Sequence, residues 1–338
     1  MNKKIESEFW DLLSSESITE LLAGNIMITG STGNLMSYFL EFLTFCQDQK
    51  IKIGQIYAVS YSGLFPNSVR LPKGVKVICG DLADHDFVAS LPNCRFLIHA
   101  GGYAQPSKFG MNPIKTYLIN SSTTFQLSHK VQDGGSMLFL SSSEIYSGLT
   151  SMFHHELQVG QSSPSHPRAC YIEGKIGGET IIEILRQEGR IKPKSARVSL
   201  VYGPGFRSGD RRVLNSMIES AITTKEIRLI DQGHAFRTYC YISDAMKQLM
   251  GIVVKGGDSV YNVGGDSQTT IRDLALLVGT LTDSSVFFSD DVGDQSAPNQ
   301  VSLDLTRIRE LLGGIDFISL EEGLDRTINW FTSELKSS

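Results

Sequence analysis

One stretch near the start of the chain constrains its fold more than any other. The short apolar run Asn25-Ile26-Met27-Ile28 passes directly into Thr29-Gly30-Ser31-Thr32-Gly33-Asn34-Leu35-Met36. The run reads as a buried strand, and the glycines read as a turn into a helix through about Cys46. Gly30 permits a tight turn, and Gly33 lets backbone amides approach a pyrophosphate at the helix N-terminus. Taken alone, the segment also fits an ordinary strand-to-helix turn. Met36 replaces the third glycine of the dinucleotide fingerprint, so the helix is expected to sit slightly off the sheet.

The alternation continues. Strands are predicted at 55–60, 75–79, 96–100, 137–140 and 196–201, with helices at 113–131 and around Tyr171. Strand–helix alternation implies parallel pairing with right-handed crossovers, hence an α/β fold with a doubly wound parallel sheet. Ligands bind such sheets outside the carboxyl ends of the strands. Gly30, Gly33, Gly101, Ser142 and Gly203 all fall there. Residues 25–204 are therefore expected to form a dinucleotide-binding domain of the Rossmann type. Beyond it, helices near 210–222, 243–254, 270–282 and 319–335 alternate with short strands near 227–230 and 260–263. Residues 205–338 read mainly as a smaller α/β substrate-binding lobe, interleaved with the first domain around 237–263. Residues 1–24 form an N-terminal extension in which Phe9, Leu12, Leu13, Ile18 and Leu21 suggest an amphipathic helix.

Composition narrows the class. A net charge of −5 argues against a nucleic-acid partner. The five cysteines are widely spaced without a Cys-x-x-Cys pair, so neither disulfides nor a zinc site is expected, which fits a cytoplasmic protein. No apolar window approaches a membrane span, and no secretory leader is expected. His154 and His155 point apart and lack a ligand cluster, so they read as a solvated loop rather than a metal site.

The chemistry concentrates later in the chain. Tyr171 and Lys175 are four residues apart, on one face of a predicted helix. An ammonium beside the phenol should lower the tyrosine pKa and make it a base for a sugar or alcohol hydroxyl. The run Ser141-Ser142-Ser143-Glu144 follows a strand. Its hydroxyls could bind the oxygen that Tyr171 deprotonates, and Glu144 could act at a neighbouring carbon. The catalytic candidates are thus Tyr171, Lys175, Ser142, Ser143 and Glu144. Gly30, Ser31, Thr32, Gly33, Asn34 and Leu35, with Asp81, Leu82, Ala100 and Gly101, are the cofactor-binding candidates, joined by Tyr171 and Lys175. Arg212 and Arg237 are candidate substrate-binding clamps for a diphosphate. The second strand ends in Val59-Ser60-Tyr61-Ser62, without the acid that selects NAD over NADP, so that choice stays open.

These residues resemble the extended short-chain dehydrogenase/reductases that act on nucleotide sugars. Within that group the likeness is greatest to UDP-glucuronate decarboxylases. It rests on Asn112-Pro113-Ile114-Lys115-Thr116, Ser142-Ser143-Glu144-Ile145-Tyr146, Arg168-Ala169-Cys170-Tyr171-Ile172-Glu173-Gly174-Lys175, Arg212-Val213 and Arg237-Thr238-Tyr239-Cys240-Tyr241-Ile242-Ser243-Asp244. The resemblance implies bound NAD, Tyr171 as base, Lys175 on the nicotinamide ribose, Ser142 on the sugar O4, and Arg237 on substrate. It also implies a homodimer in which helices 113–131 and 171–188 pair across a two-fold axis. Ser142 stands where these relatives carry threonine, and Leu200 where many carry asparagine. The implied function is NAD-dependent modification of a nucleotide sugar through a transient 4-keto intermediate, by decarboxylation or 4,6-dehydration. A 4-epimerase and a non-catalytic dinucleotide sensor on the same fold are the alternatives.

Overall fold

Strand-forming apolar runs recur along the chain, and a computed structural model describing residues 3–13, 16–66, 69–151, 153–291 and 302–337 shows how they pair. The strands are β1 Ile26–Thr29, β2 Ile56–Ser60, β3 Lys76–Cys79, β4 Cys94–His99, β5 Val131–Ser142, β6 Lys192–Val198, β7 Leu200–Tyr202, β8 Glu226–Arg228, β9 Phe236–Tyr241, β10 Val260–Val263, β11 Ser267–Thr270 and β12 Ser285–Phe287. Seven of them form one parallel sheet in the order β10-β6-β5-β4-β1-β2-β3. β1 is buried along its whole length, as a parallel strand covered on both faces must be. Order reverses at β1, between β2 and β4, which is where such sheets open a ligand crevice.

Helix Ala169–Glu188 packs against β5, β6 and helix Pro113–Asn120 on one face. Helix Ile242–Lys255 is buried nearly all round and packs toward the other face, against β6, β9 and β10. A second sheet joins β11, β9 and β7, and a two-stranded ladder joins β12 to β8. The N-terminal helices Lys3–Leu13 and Glu16–Leu22 lie on the body of the protein. Phe9 meets Tyr38, Phe42 and Phe45 with ring centroids 5.1–5.6 Å apart, and Glu8 accepts the Tyr38 hydroxyl at 2.6 Å.

Several boundaries differ from the sequence expectation, among them that of strand 196–201, which is β6 from Lys192 to Val198 followed by β7 from Leu200 to Tyr202 in another sheet. The expected helix 113–131 is two helices, Pro113–Asn120 and Ser122–Ser128, and Val131 already belongs to β5. Ser121 turns its hydroxyl onto the Tyr117 carbonyl at 2.7 Å, the back-bonding by which serine interrupts a helix. β5 begins six residues early because its register against β4 shifts near Cys94, which absorbs Gln132-Asp133-Gly134-Gly135.

Candidate functional site

The glycine turn lies at the carboxyl end of β1. Gly30 has φ +65°, and a Cβ there would stand 2.5 Å from the Ala100 carbonyl oxygen, so only glycine fits. Gly33 begins helix Asn34–Asp48 with no side-chain cap. The first-turn amides therefore remain for an anion. The buried Asn34 Oδ1 has no hydrogen-bond partner among the described residues. The uncapped first turn fits the pyrophosphate of a dinucleotide, whereas Asn34 Oδ1, an acceptor, calls for a donor. Met36 does not disturb them, because its side chain is absorbed into the core.

A neutral histidine ties this turn to the next strand. Burial pushes the His99 imidazole down to about 3. Uncharged, it accepts the Thr29 hydroxyl at Nδ1 (2.8 Å) and donates from Nε2 to the Ile119 carbonyl (3.0 Å). Thr29 Oγ1 in turn accepts the Gly101 amide at 3.1 Å, and a side chain at Gly101 would run into Leu82. Ala100, Gly101 and Leu82 thus stand beside the turn. Ser31 is placed differently from expectation: its hydroxyl is turned into the sheet, donating to the Val59 carbonyl at 3.1 Å. Thr32 offers its carbonyl to Arg207 at 3.4 Å, and Leu35 packs on the core. Asp81 holds Lys115 at 2.6 Å and the Ala83 amide at 2.9 Å. Burial raises the Asp81 carboxyl, but these two partners outweigh it and the net shift is downward. Beyond β2, the Ser60 hydroxyl accepts the Gly63 amide at 2.9 Å.

The second group of residues gathers at the carboxyl end of β5. Tyr171, in the first turn of its helix, is buried, stacks on Phe109 with centroids 5.3 Å apart, and lies within electrostatic reach of Ser142. Lys175 is one turn on, its Nζ donating to the Leu140 carbonyl at 2.6 Å and lying 5.7 Å from the Tyr171 ring centroid. Burial drives the Lys175 ammonium down to about 7, with Glu179 opposing. The Tyr171 phenol shifts upward, contrary to the expectation. Burial is the main cause and the Glu144 charge the second; Ser142 and Arg168 oppose them without prevailing. Lys175 does not ionise the phenol because its own charge is destabilised and aimed at a carbonyl.

Ser143 and Glu144 begin a single turn, Ser143–Tyr146, whose Glu144 amide donates to Ser142 Oγ at 3.2 Å. Glu144 Oε1 accepts from Arg168 at 2.8 Å, with the Arg168 side chain nine-tenths buried. Sequence reasoning did not single out Arg168, although it stands three residues before Tyr171, where a helix start aims it back at the β5 terminus. Arg237, on β9, is largely buried and within electrostatic reach of both Arg168 and Glu144; burial lowers its pKa. Arg212 stands apart. It chelates Asp210 through Nε at 3.0 and 3.1 Å, half exposed, at the start of helix Val213–Thr223.

The histidine pair is corrected in part. His154 is buried, stacked on Tyr146 with centroids 5.0 Å apart and bonded to Ser151 at 3.0 Å. It belongs to a polar network beneath the 147–167 loop, in which Asn262 accepts the Tyr146 hydroxyl at 2.7 Å and donates to the His154 carbonyl at 2.9 Å. Among the described residues no cluster of metal-ligating side chains occurs, and no helix is long and apolar enough to cross a membrane.

Residues 26–264 match the model of a family described as "NAD dependent epimerase/dehydratase family". UDP-glucuronic acid decarboxylase 1 of Xenopus tropicalis is 30% identical over 259 residues, 76% of this chain and 61% of that protein. The chain therefore spans about three fifths of that relative's length. UDP-glucuronic acid decarboxylase 5 of Arabidopsis thaliana is 27% identical over 301 residues, 88% of this chain and 86% of that protein. The UDP-glucose 4-epimerase of Thermotoga maritima, solved with UDP-glucose, superposes with TM-score 0.77 at 22% identity, covering 92% of this chain and 99% of its own. An epimerase from Methanothermobacter thermautotrophicus gives 0.78 at 19%, covering 95% and 96%. At those identities the likeness is one of fold, and it is the doubly wound α/β fold expected from the sequence.

Proposed function

The chain belongs to the NAD dependent epimerase/dehydratase family, whose cofactor is NAD, and on that premise we propose that it decarboxylates a nucleotide-activated hexuronate through a transient 4-keto sugar. The observation that carries this reading is the buried Tyr171 phenol, beside Ser142 and one helical turn from Lys175. The printed names of the relatives favour decarboxylation over dehydration.

Tyr171 takes the proton of the sugar 4-hydroxyl as a phenolate, a form that the cationic ring of bound NAD would favour against the burial that raises the phenol without it, while Ser142 holds that oxygen. Gly30, Gly33, Asn34 and Leu35, flanked by Asp81, Leu82, Ala100 and Gly101, would hold NAD, which would supply a reversible hydride acceptor for C4. Lys175 orients the dinucleotide ribose and offsets negative charge at Tyr171. With C4 a ketone, the C5–carboxylate bond breaks, CO2 leaves, and its electron pair is delocalised onto the C4 oxygen, where Tyr171 and Ser142 stabilise it. C5 then takes a proton from solvent. Ser143 and Glu144 shape the C5 side. Arg237 contacts the nucleotide sugar, and Arg212 reaches its diphosphate only by leaving Asp210. Residues 205–338 supply most of the substrate lobe, and the reaction belongs in the cytoplasm.

With UDP-glucuronate and NAD, CO2 is expected in step with a nucleotide-linked pentose. A 4-keto-6-deoxy product from UDP-glucose or dTDP-glucose, or a 4-epimer without CO2, would sink the decarboxylase reading. NAD binding without turnover on every sugar would leave only a dinucleotide sensor. A homodimer is part of the same reading. Ile114, Tyr117, Phe125 and Ile184 are exposed on the two helical segments that would pair. Size-exclusion chromatography should report a dimer, and Ile114→Glu should give a monomer.

A further inference from the structure

The carboxylate beside the Tyr171 phenol is held by an arginine that is itself fixed to the same helix turn. Glu144 lies in the single turn after β5, its amide donating to Ser142 Oγ at 3.2 Å. Its Oε1 accepts from Arg168 Nη1 at 2.8 Å. The Arg168 side chain is 9% exposed and that of Glu144 25%, so the arginine is enclosed while the carboxylate keeps an accessible side. Arg168 is the N-cap residue of helix Ala169–Glu188. Its amide donates to His166 Nδ1 at 3.2 Å, and its carbonyl accepts the Tyr171 and Ile172 amides at 3.0 Å. The guanidinium therefore grips one element and the backbone of the same residue grips the turn that carries the phenol.

The groups around the phenol come from several elements. Ser142 stands at the end of β5, Glu144 in the turn after it, and Phe109 stacks on the ring. Cys170 and Lys175, on the phenol's own helix, turn to carbonyls: Cys170 Sγ to Phe109 at 3.9 Å and Lys175 Nζ to Leu140 at 2.6 Å. Arg237, on β9, acts on both Glu144 and Arg168. Of the charges, Glu144 raises the Tyr171 phenol and Arg168 lowers it. An unmatched carboxylate at this place would oppose the phenolate that proton abstraction needs. A guanidinium suits the task of matching it, because it keeps its charge when buried. Lys175 does not have that property, since burial brings its ammonium down to about 7.

We propose that Arg168 is a positioning residue of the reaction: it fixes the Glu144 carboxylate beside Tyr171 and cancels its charge there, so that the phenol can ionise with Glu144 in place. The inference rests on the reading of Tyr171 as the proton acceptor.

The test reads the Tyr171 ring directly, by NMR titration of the full chain with labelled tyrosine and NAD bound, the resonance being identified by its loss in Tyr171→Phe. Arg168→Gln leaves Glu144 unmatched and should move the phenol midpoint upward by about one pH unit, the effect of one nearby charge. Arg168→Lys, which keeps the charge, should recover most of that shift. The acid limb of the kcat/KM profile for CO2 release from UDP-glucuronate should move in parallel. Should Arg168→Gln fail to fold, the neutral pair Arg168→Gln with Glu144→Gln strands no charge; its phenol should titrate higher than that of Glu144→Gln alone. A midpoint indifferent to Arg168 in both comparisons, with Tm alone responding, overturns the proposal and leaves a structural ion pair. A phenol that shifts as stated in a protein releasing no CO2 sinks the decarboxylase reading and spares this one. Normal CO2 release with an indifferent phenol does the reverse.

Discussion

Two buried cations lie at opposite ends of one neighbourhood and have opposite surroundings. Lys175 and Arg197 are 6% and 3% exposed. Arg197 is held by Glu179 in a two-pronged pair at 2.7–3.2 Å, and by Tyr146 and the carbonyls of Glu156 and Gln158 at 2.8–3.0 Å. Its pKa shifts upward. Lys175 has one backbone carbonyl, and its pKa falls to about 7. Glu179 lies one turn from Lys175, yet its carboxylate is committed to Arg197. One cation is fully satisfied and builds the 147–167 loop support. The other is left incompletely matched, beside Tyr171, where a cofactor ribose would complete it. Perturbed groups of the second kind mark sites of chemistry.

The comparison can be broken in measurable ways. The largest effect should follow Tyr171→Phe, which removes the proton acceptor. A loss of about 10²–10⁴ in kcat is expected from general-base removal, with NAD affinity by calorimetry nearly unchanged. Retention of near-full turnover would show that the chemistry is elsewhere.

Next come the cations themselves. Arg197→Met strands Glu179 in a buried place and should cost about 3–5 kcal/mol in urea unfolding. Lys175→Met should cost nothing in the protein stripped of dinucleotide, and should stabilise it near neutral pH. Lys175 has a folded pKa of about 7 against an ordinary 10.5. Between those values the unfolded chain binds more protons, so stability rises with pH by up to about 1.4 kcal/mol per unit. Below that window both states are charged and the full burial penalty applies. The advantage of Lys175→Met over wild type should therefore shrink as pH is raised from 7 to 10. A constant difference would mean that Lys175 is not destabilised as a cation.

The smallest effect should be that of Ser31→Ala. With its hydroxyl on Val59, NAD affinity should change by less than about threefold, the scale of one modest hydrogen bond; a larger loss would place that hydroxyl on the cofactor.

Much of the fold was legible because parallel strands buried on both faces read as apolar runs. β1 and β2, both buried, fall within a residue of their expected limits, as does the largely exposed edge strand β3. β9 and β11 were not visible, because Arg237, Thr238 and Gln268 interrupt any pattern and each strand's partner lies far along the chain. In the site, Gly30, Ser142, Tyr171 and Lys175 carry local motifs and were readable. The Glu144–Arg168 pair was not, since it joins residues 24 apart through the turn after β5. The direction of the Tyr171 shift was misread because spacing reveals proximity but not desolvation.

The far edge of the main sheet is β10, which adds to β6 through Val260 to Val263. A chain emerging from the ribosome would complete six strands long before that seventh arrives. Until then β6 would present an open ladder to any passing extended segment. Nascent-chain folding of this protein should accordingly lag until the polypeptide has been extended past Val263, and fragments ending earlier should be prone to mispairing.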